Sequence, residues 1–224
     1  MGVIGQAWTW LTTGANWTGE SGAAHRLVEH LYVSGVALAV ACAIALPVAL
    51  YLGHIGKGGA PAVNVSNAGR AVPVFAVLAL FMVSPLRNAG YLPTITALVL
   101  FAVPPLLTNA YVGMTEVDRS VTEAARGMGM SGRQLFLRVE LPLAQPMIMT
   151  GLRSAAVQVV ATATIAAMAG QGGLGRIITA GFHTYDTPQV VAGALLVAAL
   201  ALLVEAALTV LERALSPRRR RGAA

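Results

Sequence analysis

Five stretches of this chain are almost continuously apolar, at about 31–52, 68–83, 91–107, 146–168 and 188–211, and shorter polar segments separate them. A bilayer core about 30 Å thick takes roughly 20 apolar helical residues, so the longest of these runs have spanning length. The second and third are shorter and carry Pro73, Pro93, Pro104 and Pro105, which blurs their ends. Backbone groups find no water in hydrocarbon, and a helix satisfies them within the crossing segment itself. The pattern predicts an all-α polytopic membrane protein with about five transmembrane helices.

One polar interruption stands apart. Between the third and fourth runs, the segment 118–142 carries Arg119, Arg126, Arg133 and Arg138 together with several carboxylates. Asp118 is placed to N-cap a short helix over 121–126, which Gly127 and Gly129 then end. Ser131, with Gln134 three residues on, has the capping-box pattern that starts a second helix. That helix is expected to stop near Glu140, ahead of Leu141-Pro142. Glu123 puts one charge at the first helix, Ala124 and Ala125 give it a small-residue face for close approach, and Gly129 permits a turn that a side chain would block. A shaped element of this kind reads as a docking surface; a solvated loop joining two spans is the alternative.

Composition and charge add orientation. The chain is 56% hydrophobic and 11% charged, outside the range of an ordinary soluble domain. With five spans, Lys57, Arg70, the four arginines of the polar segment, Arg213 and the run from Arg218 to Arg221 share one side, against Arg26, Arg87 and Arg176 on the other. Basic residues in short loops stay cytoplasmic, so the N-terminus is expected outside and the C-terminus and polar segment inside. This divides the chain into an extracytoplasmic segment 1–26, a membrane domain 27–215 with a cytoplasmic loop at 115–142, and a basic tail 216–224. Beside a span, that tail reads as a stop signal or a lipid-headgroup contact, and no nucleic-acid partner is expected. Positions 1–11 lack the basic start and continuous apolar core of a cleavable signal peptide. Trp8, Trp10 and Trp17 read as interfacial anchors or a short surface helix. Cys42 is the only cysteine, and His25, His30, His54 and His183 are scattered, so neither a disulfide nor a metal site is expected.

Chemistry inside the apolar runs is sparse. Thr150, Ser154, Gln158 and Thr162 recur every four residues and share a helix face. That face would line a hydrated path between two packed subunits, or serve as polar glue between helices. Arg153 and Glu205 each lie about two turns from the cytoplasmic end of their runs, at matched depths of roughly 10 Å. They are candidates for a buried ion pair, with separate snorkelling to the interface as the alternative. Gly170-Gln171-Gly172-Gly173-Leu174-Gly175 satisfies G-x-G-x-x-G, but it follows a span and not a strand, so it reads as a gating or re-entrant outer segment, or a plain loop. No nucleophile–base set, central carboxylate or internal repeat is visible, which argues against an intramembrane enzyme and against a secondary transporter or channel. Tyr32, Tyr51, Tyr91 and Tyr111 fall near span ends, and no aromatic cage for a quaternary ammonium is visible.

The spacing Glu123-Ala124-Ala125, three residues, Gly129, eleven residues, Leu141-Pro142 resembles the EAA loop of ABC-importer permeases. Val117-Asp118, Glu123 through Met130, Val139-Glu140-Leu141-Pro142-Leu143-Ala144, Met149-Thr150-Gly151-Leu152-Arg153, the 170–175 glycine run and Arg70-Ala71-Val72-Pro73 resemble the osmoprotectant branch of that family. The likeness runs from about 27 to 182, with Arg119 standing where relatives often have proline. The resemblance implies that Glu123, Ala124, Ala125, Arg126, Gly129, Leu141 and Pro142 couple this chain to a cytoplasmic ATPase subunit. Magnesium-ATP would then bind on that partner, and this chain would bind no cofactor and perform no catalysis. It implies further a second permease subunit, identical or paralogous, an extracytoplasmic solute-binding protein and a place in the bacterial plasma membrane. The implied cargo is glycine betaine, choline or carnitine; a like permease for an amino acid such as methionine is the nearest alternative.

Overall fold

A computed structural model describes residues 2–69, 72–167 and 171–215. The tail 216–224, Arg70-Ala71, the end of the fourth expected run at Met168, and Gly170 lie outside the described residues. Among the described residues the chain folds as α1 (Val3–Thr12), α2 (Ala23–Ile55), α3 (Gly59–Ala68), α4 (Val74–Val83), α5 (Leu92–Thr115), α6 (Arg119–Gly127), α7 (Gly132–Leu135), α8 (Leu141–Ala166), α9 (Gly175–Thr184) and α10 (Thr187–Leu215). Single 3₁₀ turns at Gly14–Trp17 and Pro85–Asn88 link some of them.

Among the described residues, four helical runs are long and apolar enough to cross a membrane: α2, α5, the continuous run Gly132–Ala166 and α10. The second expected span is different. Instead of one helix over 68–83, α3 ends at Ala68 and α4 starts after Pro73, which sits at its N-cap. Proline drives the residue before it out of α geometry, which separates the two helices. The ten residues of α4 reach only about 15 Å. The third run, in contrast, is longer than expected. α5 passes through Pro104 and Pro105 and continues to Thr115. Both prolines are buried between neighbouring helices, and packing of this kind sustains a helix through prolines in membranes.

The fourth span brings a larger correction. The helix beginning after Ser131 does not stop near Glu140. α7 passes into one π turn, Phe136–Glu140, and straight on into α8. In that turn Leu141 N–H donates to Phe136 O, five residues back. Pro142 has no N–H to give, and the wider turn just ahead of it absorbs the break in register. The polar segment and the fourth span are therefore one shaft.

Small residues hold the bundle together. Ala37, Ala41, Ala45 and Ala49 recur every four positions on α2 and are fully buried. They form one cluster with Leu98, Ala102, Leu106 and Ala110 of α5. On its other side α5 meets α8 so closely that a Cβ at Gly113 would lie 2.7 Å from Met147 Cβ and 3.0 Å from Ala144 O. Between helices in lipid, such close backbone approach takes over from the hydrophobic effect. α10 buries little beyond Ala192, Gly193 and Leu200, leaving Leu202, Leu203 and Val210 exposed.

Candidate coupling surface and transport path

The polar segment is shaped by its own local bonds. Asp118 Oδ1 accepts Ser120 N–H at 2.8 Å and starts α6. The same bond, helped by the Ser120 hydroxyl, holds the Asp118 carboxyl below the usual aspartate range. At the far end Met130 N–H donates to Ala125 O and Gly129 N–H to Arg126 O, the two bonds of a Schellman stop, with Gly129 at φ +83°. Ser131 then opens α7 with a complete capping box: Gln134 N–H donates to the Ser131 hydroxyl, and the Gln134 carboxamide accepts Ser131 N–H.

On this plug Glu123, Ala124, Arg126 and Gly129 are exposed. Ala125 is not; it is 3% exposed and faces the protein. Of the two alanines expected to share a docking face, only Ala124 lies on the surface, because neighbouring residues of a helix point about 100° apart. Leu141 and Pro142 are half-buried and belong to the shaft.

The plug is tied to the bundle by contacts that no local pattern announces. Glu140, 6% exposed in the π turn, accepts a hydrogen bond from His54 Nδ1 near the end of α2. The Phe136 ring meets the His54 imidazole edge-on at 5.4 Å. A carboxylate buried without a partner is costly, and His54 supplies that partner.

On α8, Ala155, Ala156, Val159 and Ala163 face inward and turn the opposite side out. That outer side holds Thr150, Arg153, Ser154 and Gln158, which with Glu205 line an open groove of about 390 Å³. Thr162 is half-buried higher on the helix and outside the groove wall. The Thr150 hydroxyl donates to Pro146 O within its own helix. In a single chain this face is surface, not interior.

Arg153 Nε lies 3.1 Å from Glu205 Oε1, and its terminal nitrogen donates to Glu212 Oε2 at 3.0 Å. Two points differ from the expected buried pair. The side chains are 29%, 41% and 26% exposed, and a second carboxylate joins. Glu212 follows Glu205 by seven residues, two helical turns, so its place on the same face was readable from spacing.

At the opposite end from the plug, the glycine segment is held against α2. Glu29 accepts Gly173 N–H at 2.9 Å, the Tyr91 hydroxyl at 2.9 Å and Arg26 at 2.7 Å. His30, 1% exposed, donates from Nε2 to Val160 O and accepts Leu174 N–H on Nδ1. A Cβ at Gly172 would lie 2.6 Å from the Glu29 carboxylate, which would have to move aside to admit a side chain there. Tyr32 and Tyr91 also meet here, edge to face at 6.0 Å. Glu29 was not singled out from sequence; its near neighbours His25 and Arg26 on the same helix face were its only local sign.

A multi-helix membrane unit with a capped polar plug at one end and a polar groove along a span is the architecture of a transporter's membrane component. The chain belongs to the family of binding-protein-dependent transport system inner membrane components, which matches residues 35–221. It is 35% identical over 190 residues to the glycine betaine/carnitine/choline transport system permease protein OpuCB of Bacillus subtilis (strain 168), spanning 85% of this chain and 87% of that protein. It is 38% identical to the carnitine transport permease protein OpuCB of Listeria monocytogenes, spanning 85% of this chain and 86% of that one. The fold is similar to that of a chain of the MetNI methionine ABC transporter solved in inward-facing conformations, with a TM-score of 0.75 at 23% identity over 86% of this chain and 95% of that chain.

Proposed function

We propose that this chain is the translocation subunit of an ATP-driven importer for small quaternary amines such as glycine betaine, choline and carnitine. The observation that carries the transport role is the plug, a helix–turn–helix capped at every exposed end and continuous with a spanning helix. A loop that only joined two spans would need none of those caps. The solute class is supported by the names of the relatives above, at 35% and 38% identity over most of the chain. The amino-acid alternative has fold likeness alone behind it.

In this reading a cytoplasmic ATPase subunit holds the exposed face at Glu123, Ala124, Arg126 and Gly129. Leu141 and Pro142 pass its motion into α8. Magnesium-ATP binds and is hydrolysed on that partner. A second permease subunit, a copy or a paralogue, covers the α8 groove, so that Thr150, Ser154 and Gln158 face a shared path and Thr162 packs above it. An extracytoplasmic binding protein selects the solute and releases it at the glycine segment. The N-terminal segment 1–26 lies outside, and the loop 115–142 and the tail 216–224 lie inside, the tail against lipid headgroups. ATP closes the ATPase pair, the plugs are drawn together, and the spans rock open outward; hydrolysis restores the inward state.

The test is uptake of labelled glycine betaine, choline and carnitine by cells that lack their own systems, supplied with this chain and its partners. Glu123→Lys is expected to abolish uptake and to weaken co-purification of the ATPase, with membrane insertion unchanged. Full uptake with Glu123→Lys and with Gly129→Asp would sink the coupling role. Uptake of methionine in place of the amines would sink the solute assignment alone.

A further inference from the structure

We infer that α2 carries movement of the plug to the outer glycine segment, with His54 and Glu29 as the positioning residues at its two ends; this rests on the importer reading above.

The inner attachment is at an unusual place. Glu140 and Phe136, the two residues that meet His54, both lie in the π turn between α7 and α8. A π turn holds an extra residue, so converting it to α geometry would turn the plug by about 100° relative to α8. It is the one joint in an otherwise continuous shaft, and α2 is fastened to that joint.

The outer attachment is equally direct. Glu29 accepts the Gly173 amide, and the neighbouring His30 accepts the Leu174 amide. Gly173 has φ +93°, a conformation in which a side chain would be strained, and it is held there by this pair of bonds. The segment therefore stays against α2 only while Glu29 and His30 are in position. His54 follows Glu29 by twenty-five positions along α2, roughly 38 Å, on a helix that runs on through Pro47.

Between these ends α2 presents Ala37, Ala41, Ala45 and Ala49 to α5. The stripe itself is short-chained, with Leu98 and Leu106 of α5 packed among its alanines, and the movement inferred is a small slide of α2 along α5, the shear type of motion. A change at the π turn thus moves His54, α2 follows, and the bonds from Glu29 and His30 to the glycine segment are broken or re-formed. The polar hollow beside it, walled by Arg87, Tyr91, Gln171 and Gly172, would open or close accordingly.

The experiment uses the assembled complex in vesicles, with Cys42→Ser and a reporter cysteine at Gln171. A membrane-impermeant maleimide applied to the outer face reads its accessibility, with and without ATP–vanadate trapping. Trapping is expected to raise the labelling rate several-fold. With His54→Gln the ATPase should still co-purify and hydrolyse ATP, while labelling no longer responds to trapping and uptake falls at least ten-fold. Exchanging the partners, His54→Glu with Glu140→His, should restore much of the response, which a merely structural contact need not do. Glu29→Gln tests the other end: labelling should be high in both states, with ATP hydrolysis retained. A normal trapping response in both His54→Gln and Glu29→Gln would overturn the proposal. If the unsubstituted complex shows no ATP-dependent uptake, the importer reading falls, and this proposal with it.

Discussion

The plug and the transport region are built by opposite means. The bonds that cap and turn the plug are local, Asp118 to Ser120, Ala125 to Met130 and Ser131 to Gln134, and one distant tie, His54 to Glu140, fastens it to the bundle. The bonds that shape the proposed path and the end of the bundle away from the plug join residues far apart in sequence. Glu29 reaches Gly173 across 144 positions, His30 reaches Val160 across 130, and Arg153 reaches Glu212 across 59. The difference fits the two tasks proposed above. A piece gripped by another protein must keep its shape while everything around it shifts, and local bonds travel with it. A path that opens alternately to two sides must exchange contacts, and contacts between distant helices can be broken without unfolding either helix.

The largest effect expected from this contrast comes from crowding each region with the same substitution. Gly113→Val drives a side chain into Met147 and the Ala144 carbonyl at the α5–α8 crossing. Overpacking of this kind costs about 1–3 kcal/mol, and more where backbone is struck. Size-exclusion profiles in detergent should show loss of the monodisperse chain. Gly129→Val meets no neighbour within 4 Å, and its difficulty is only the φ of +83°. It should leave the bundle intact while abolishing uptake. A bundle that collapses with Gly129→Val would show that the plug is not an independent piece.

A smaller effect is expected along the path. Arg153 stands between two carboxylates, so Arg153→Gln removes both attractions and leaves two like charges near each other. Glu205→Gln or Glu212→Gln removes one attraction and leaves the other. The side chains are partly exposed, and pairs of that kind contribute at most about 1 kcal/mol each. Thermal midpoints should therefore rank Arg153→Gln lowest, with each single carboxylate variant near wild type. Strictly additive losses across the Arg153 and Glu205 pair would remove the bridge from any account of how α8 and α10 are held together.

This contrast also explains which features could be read from the sequence. The caps at Asp118 and Ser131 and the stop at Gly129 were legible because each works within a few residues. The spans were legible as apolar length, but their ends were not. Pro73 parts α3 from α4, whereas Pro104 and Pro105 sit inside α5, and the difference lies in what packs around them. Pro142 looked like a stop for the plug's second helix; the π turn before it lets the helix run on. Ala124 and Ala125 looked equivalent, and only the docking of α6 against its neighbours told them apart. The ties His54–Glu140 and Glu29–Gly173 had no signal in spacing, since nothing in one helix states which residue of another it will meet.

The smallest effect concerns the cap that starts the plug, and it tests how local the plug is. The Ser120 amide, then its hydroxyl, hold the Asp118 carboxyl below its ordinary range. For a carboxylate depressed in the folded state, the stabilising contribution is complete above the ordinary value of about 4 and is lost as pH falls through the lower folded value. The chain has only two aspartates, Asp118 and Asp186, so carboxyl-labelled aspartate gives two signals, and Asp118→Asn assigns them. The Asp118 signal should titrate below the midpoint of an aspartate in an unfolded peptide. Ser120→Pro removes both donors while keeping a residue suited to the first turn of a helix. It should bring the midpoint back toward the ordinary value without altering uptake at neutral pH, where the carboxylate is ionised in either case. A midpoint that did not move would mean that more distant charges, and not the Ser120 donors, set it, and the plug would then be less self-contained than its bonds indicate.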